Sequence, residues 1–302
     1  MNSLSPLTTE DTNVQTPPSA WNAELSLQFA RTARGSVLQR ADHRGPLYVQ
    51  KAFYPEGPDL AQVYLLHPPG GLVSGDRLDI SVHTGNDSHA LLTTPGAGRV
   101  YRARPDRALQ HQINTLNLSP GSSIEWLPLE TILYPDACTR LDTRVNLADN
   151  AHFIGWEITS LGLPNRALPF NDGQLSQTLQ INRGERILLR ERLQIDEQSR
   201  ALLQGPAGLR GKPVTGLMVA GPFDVAVDEN SEHVLEPLIK QLRQHAHDCD
   251  ALAAVSLTGE FMTIRYLGDQ TDTAMQLFVR CWHDIRPALL DRPACEPRIW
   301  AT

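Results

Sequence analysis

Leu25-Ser26-Leu27-Gln28-Phe29 and Leu78-Asp79-Ile80-Ser81-Val82 alternate apolar with polar residues one for one. A period of two belongs to a half-buried β-strand, because successive side chains leave opposite faces of the backbone. The same reading extends outward to Leu116-Asn117-Leu118 before the Pro120-Gly121 turn, to Ile124 through Leu127, and to Leu179-Gln180-Ile181 before the Arg183-Gly184 turn. Gly, Pro, Asn and Asp punctuate the chain from about Trp21 to about Val227, as turns between short strands do. The long amphipathic segments that helical crossovers need are missing there, so this stretch reads as an all-β body, a meander or a coil of strands.

After about Asp228 the period changes. Val234, Leu235, Leu238, Ile239, Leu242 and Ala246 fall at helical spacing, with Pro237 tolerable in the first turn. A second helix is predicted after Asp272 as N-cap, carrying Ala274, Leu277, Phe278, Cys281, Trp282 and Ile285 inward and stopping before Pro287. Between the two, Ala253–Leu257 and Phe261–Tyr266 read as a hairpin turning at Thr258-Gly259. Residues 1–20, rich in Ser, Thr, Pro and Asn, read as a flexible tail. Residues 21–302 read as a single domain without an internal repeat or a linker.

With 27 basic against 34 acidic residues the net charge is −7, and no Lys/Arg run marks a nucleic-acid surface. No basic segment leads into an apolar core at the N-terminus, and nowhere do about 18 apolar residues run together. The expectation is a cytoplasmic protein with neither membrane nor nucleic acid as partner. Cys138, Cys249, Cys281 and Cys295 form no Cys-x-x-Cys pair and read as free thiols. There is no Gly-x-Ser-x-Gly elbow and no His-Glu-x-x-His pair. Gly205 to Pro213 is a broken phosphate loop, one residue too long between its outer glycines and with Pro213 where Ser or Thr belongs, so it reads as a surface loop. In His245-Ala246-His247-Asp248-Cys249 only His245 and Cys249 share a helix face, which favours a polar helix end over a ligand set.

The motifs that carry function begin at Gly45-Pro46-Leu47-Tyr48-Val49-Gln50-Lys51-Ala52-Phe53-Tyr54-Pro55-Glu56-Gly57, followed by His67-Pro68-Pro69-Gly70-Gly71-Leu72-Val73-Ser74-Gly75-Asp76. Pro69-Gly70-Gly71 makes a sharp turn whose bare backbone permits positive φ or close approach, and Gly75-Asp76 is a second turn entering a strand. Further on come Thr93-Thr94-Pro95-Gly96-Ala97-Gly98-Arg99-Val100-Tyr101-Arg102, Glu125-Trp126-Leu127-Pro128-Leu129-Glu130, Gly155-Trp156-Glu157, Glu191-Arg192, Arg286-Pro287 and Pro297-Arg298-Ile299-Trp300.

In this order, from roughly Trp21 to the C-terminus, the motifs resemble the urease accessory protein UreD (UreH) family. The resemblance implies a non-catalytic scaffold with a β-helix-like stack of many short strands and two α-helices packed on it from the C-terminal half. It implies a UreF-type accessory protein as partner, a UreG-type GTPase reached through UreF, and apo-urease as the recipient of nickel. No permanent cofactor is implied, only transient nickel, carried through an internal, water-filled route. Two departures stand out. Arg99 occupies a position where relatives often carry lysine, and Gly162-Leu163 and Ala167-Leu168 before Phe170 lack an arginine and an acid, with Arg166 and Asp172 close by in sequence.

A route for a hydrated divalent cation needs polar, partly anionic walls that release the ion again. The candidate lining residues are therefore Asp76, Glu125, Glu130 and Glu157. Each has a plainer reading: Asp76 as an acceptor of backbone N–H groups in its turn, Glu125 and Glu157 as buried partners of Arg99 or Arg102. Tyr101 and Arg102 also fit an interface rim, and His67 fits a satisfied turn histidine. Trp126, Trp156, Arg298 and Trp300 are expected to pack or to meet a partner. Two rival readings are a β-helical hydrolase using Glu125 and Glu130 as paired carboxylates, and a stand-alone nickel-binding protein. Odd spacing and Pro128 oppose the first.

Overall fold

The computed structural model describes residues 20–223 and 231–301. All of the expected tail except Ala20 lies outside them, as do the side chains of 231–234, Val234 included. The chain runs through β1 (Asn22–Thr32), β2 (Gly35–Arg44), β3 (Tyr48–Val49), β4 (Ala61–Leu66), β5 (Arg77–Thr84), β6 (His89–Thr93), β7 (Gly98–Val100), β8 (Gln110–Leu118) and β9 (Ser123–Trp126). It continues through β10 (Thr131–Leu133), β11 (Cys138–Leu147), β12 (His152–Leu163), β13 (Leu168–Pro169), β14 (Gln174–Arg183), β15 (Arg186–Ile195) and β16 (Val214–Gly221). Then follow α1 (Ser231–His247), the hairpin β17 (Leu252–Thr258) and β18 (Phe261–Gly268), and α2 (Thr271–Leu290). The body is mainly β, with two α-helices among the described residues.

A seven-stranded sheet, ordered β15-β14-β11-β8-β5-β1-β2, faces an eleven-stranded one whose main path is β17-β18-β16-β12-β9-β6-β4-β3. From β4 to β14 the chain alternates between them, and each main strand lies parallel to its predecessor in the same sheet. Parallel pairing thus occurs without helical crossovers, because the strand of the opposite sheet makes the return. Stacking the turns in register puts like residues over like. Leu27, Val82, Leu116, Val145 and Ile181 form one fully buried column between the sheets. On the opposite face, one position along, Asn146 donates to Asn117 (2.8 Å) and Asn182 to Asn146 (3.0 Å), a side-chain ladder across three strands.

At the centre of the eleven-stranded sheet β12 is buried on both faces, so its burial runs almost unbroken along the strand instead of alternating. One face meets the seven-stranded sheet through Leu92, Trp126 and Phe153; the other meets the helices through Ile154, Trp156 and Ile158. Leu242 and Ala246 of α1 and Ala274, Leu277, Phe278, Cys281, Trp282 and Ile285 of α2 are buried in that second core. Two helix boundaries differ from expectation. Gln270, not Asp272, is the N-cap of α2, without a capping side chain, and the helix runs past Pro287 to Leu290. Proline lacks an N–H and crowds the preceding turn, yet the helix continues because burial of Ile285 and Arg286 holds that turn against the sheet.

Candidate functional site

The glycine turn joining β4 to β5 closes one end of the space between the sheets. Gly70 has φ of +75°, and a Cβ on Gly71 would stand 2.6 Å from the Arg99 carbonyl oxygen and 2.7 Å from the Tyr101 ring. That approach lets Leu72 N–H reach Arg99 O (2.8 Å) and Tyr101 N–H reach Leu72 O (2.9 Å), so a glycine is required there. Gly75 also has positive φ, and the buried Asp76 beside it accepts Trp21 N–H (2.9 Å) and Val73 N–H (2.8 Å). Asp76 therefore ties a turn to the first strand. Pro69 and Arg99 are exposed, and Arg102 donates to Asp136 (2.7 Å) at the surface. Neither arginine is the partner of Glu125 or Glu157.

Glu157 stands in the middle of β12. It lies deep in the molecule yet keeps accessible surface, because it faces internal space. Two cavities, of about 470 Å³ and about 270 Å³, share Glu157, Thr159 and Gln177 as common wall. The smaller reaches the glycine turn, His67 and the Thr94–Arg99 loop; the larger reaches the Pro206–Arg210 loop and the β17–β18 hairpin. Thr143 donates to one Glu157 oxygen (2.7 Å) and Gln177 to the other (2.8 Å). Burial pushes the Glu157 carboxyl above the usual carboxylate range, the two hydrogen bonds oppose this, and Asp142 adds to it. Burial likewise pushes His67 down, toward the neutral imidazole that can ligate a metal.

Glu125 is fully buried and fully partnered. Arg286 of α2, itself without exposed side chain, places its Nη2 3.0 Å from Glu125, and Trp282 Nε1 donates to the same carboxylate at 2.7 Å. The guanidinium also holds Glu56 (2.6 Å) and donates to the Pro293 carbonyl. Burial raises the Glu125 carboxyl and Arg286 counters it. This knot fastens α2 and the chain after it onto the eleven-stranded sheet. Trp300 completes the seam: its ring lies 5.7 Å from Trp156 and 5.9 Å from Trp282, and its Nε1 donates to Thr93 Oγ1 (2.9 Å). Trp126 is buried between the sheets, and Arg298 lies exposed on the short 3₁₀ turn that carries Trp300.

Glu130 is apart from all of this. It borders another hollow with Arg166, Asp269 and Asp272. Glu125 is clamped by Arg286 while Glu130 lines a separate hollow, so the structure does not bring these two carboxylates together in one pocket. His245 pairs with Asp284 (2.6 Å), and among the described residues no three His, Cys, Asp or Glu side chains gather as a metal cage. Thr143, Gln177, Glu56 and Arg286 are the residues that sequence reasoning did not assign to the site. Arg286 had been noticed within a motif, but nothing along the chain signals a partner 161 residues away.

The chain matches the model of the UreD urease accessory protein family over residues 22–301. It is similar to the urease accessory protein UreD of Marinomonas sp. (strain MWYL1), 54% identical over 285 residues that cover 94% of this chain and 91% of that protein. It is 39% identical to the UreD of Psychromonas ingrahamii over 310 residues, covering 99% and 100% of the two chains. Against the UreD of Alcanivorax borkumensis it is 39% identical over 286 residues, covering 93% and 92%.

Proposed function

Since the chain belongs to the UreD family of urease accessory proteins, we propose that it is a non-catalytic cytoplasmic scaffold that docks on apo-urease together with UreF- and UreG-type proteins and passes nickel to the urease active site. The observation that carries this reading is the pair of cavities meeting at Glu157, a carboxylate whose two contacts are a hydroxyl and an amide. Nickel is cargo here. A carboxylate without a cationic partner attracts a divalent ion, and a site with so few ligands lets it go again. The alternating parallel winding supports a β-helix-like stack, with the route running between its two sheets.

Asp76, Glu125 and Glu130 drop out as lining residues on this reading, because the first two are consumed by backbone and arginine partners and the third borders a different hollow. The test is urease activation in cells carrying Glu157→Gln. Nickel content of the urease is expected to fall several-fold while the variant still co-purifies with urease and the other accessory proteins. Full nickel content would remove Glu157 from the route, and loss of the complex itself would point to a role in assembly.

A further inference from the structure

The six polar residues Gln112, Asn114, Thr143, Glu157, Thr159 and Gln177 cross the smaller cavity, whose remaining wall combines leucine and isoleucine side chains with the glycine turn, His67 and the Thr94–Arg99 loop. Their hydrogen bonds run in one direction. Gln112 donates to Asn114 (3.1 Å), Asn114 to Thr143 (3.0 Å), and Thr143 to Glu157 (2.7 Å). From the other side Thr159 donates to Gln177 (3.1 Å), and Gln177 donates to Glu157 (2.8 Å). The direction is forced at both last steps. An ionised carboxylate only accepts, so at Glu157 the Thr143 hydroxyl and the Gln177 amide N–H are the donors, while Thr143 Oγ1 and the Gln177 carbonyl accept from Asn114 and Thr159. Thr143 sits on β11 and Gln177 on β14, both in the seven-stranded sheet, whereas Glu157 is in the facing sheet. The two donors therefore hold the carboxylate across the gap between the sheets.

Where the molecule wants a carboxylate neutralised it supplies a guanidinium, as Arg286 does for Glu125. At Glu157 it supplies two uncharged donors instead. Uncharged donors fix both oxygens in place, leaving the negative charge available to a passing cation. We propose that Thr143 and Gln177 are positioning residues for cation transfer, orienting Glu157 and preserving its charge. This rests on the reading of the inter-sheet space as the nickel route.

The experiment compares Thr143→Val, Thr143→Ser and Gln177→Lys with Glu157→Gln in the full-length chain. Thermal melting and co-purification with the partners serve as fold controls, and nickel binding and urease nickel content as readouts. Thr143→Val is expected to weaken nickel binding about tenfold, the usual cost of losing a ligand's hydrogen-bond partner, and Thr143→Ser is expected to restore it. Gln177→Lys, which places an ammonium on the carboxylate, is expected to abolish nickel transfer with the complex intact. If Glu157→Gln lowers urease nickel while Thr143→Val and Gln177→Lys leave it at the parental level, the positioning role is overturned and the route stands. If Glu157→Gln also leaves nickel unchanged, the route through Glu157 fails and the positioning role with it. Loss of nickel in Thr143→Ser equal to that in Thr143→Val would likewise overturn a role for the hydroxyl.

Discussion

At the scale of single residues, Glu125 has no exposed surface, Glu157 keeps some toward the cavities, and the two differ in what faces them. Two carboxylates and one guanidinium share the Glu125 knot, so removing the arginine leaves two acids facing each other in a dry interior. Arg286→Ala is expected to cost about 3–5 kcal/mol, the usual loss when one partner of a buried ion pair is deleted; denaturant melts of parent and variant measure it. His89 gives a pH signature. Burial, with Arg292 and Arg31 nearby, pushes its imidazole down to about 4 from 6.5. A group depressed on folding contributes stability above its unfolded value and loses it as pH falls toward the folded one. The parent should therefore lose stability between pH 6.5 and about 4, and His89→Asn should flatten that part of the melting-temperature profile. A parallel pair of profiles would exclude His89 as the source.

At the scale of elements, the helices and their seam were legible to different degrees. Both helices, the β17–β18 hairpin and most inward-facing helical residues were readable from periodicity, because a helix carries its own face pattern within a few turns. The end of α2 was not. Pro287 is a local stop signal, and a buried Arg286 whose partners are Glu125 of β9 and Glu56 in the turn before β4 outweighs it. In the terminal 3₁₀ turn Arg298–Ala301, Trp300 is seated against Trp156 and Trp282. Truncation after Pro297 should cost about 2 kcal/mol from the lost aromatic burial and open the seam above Thr93. An unchanged melting temperature in the truncated chain would show that the turn contributes nothing to the fold.

At the scale of the whole molecule, strand content was readable and strand pairing was not. The column Ile80, Asn114, Thr143 and Leu179 is one position on successive turns, but the intervening stretches differ in length, so no fixed period marks the repeat in the sequence. The absence of helical crossovers favoured a meander or coil, and a parallel coil needs none because its return limb is itself a strand. Of the site, Glu157 was visible as an acid in an apolar strand, and the glycine turn as a place of close approach. Its companions Thr143 and Gln177 were not, since ordinary polar residues in β-strands acquire meaning only when the opposite sheet is in place.

The strand β12 belongs to two interiors at once. Trp156 and Glu157 are consecutive, and the alternation of a strand turns the indole toward α2 and the carboxylate toward the cavities. A single peptide unit separates the helical layer from the two cavities. A push on the indole from the helical side would have one peptide unit of backbone to cross before it reached the acid.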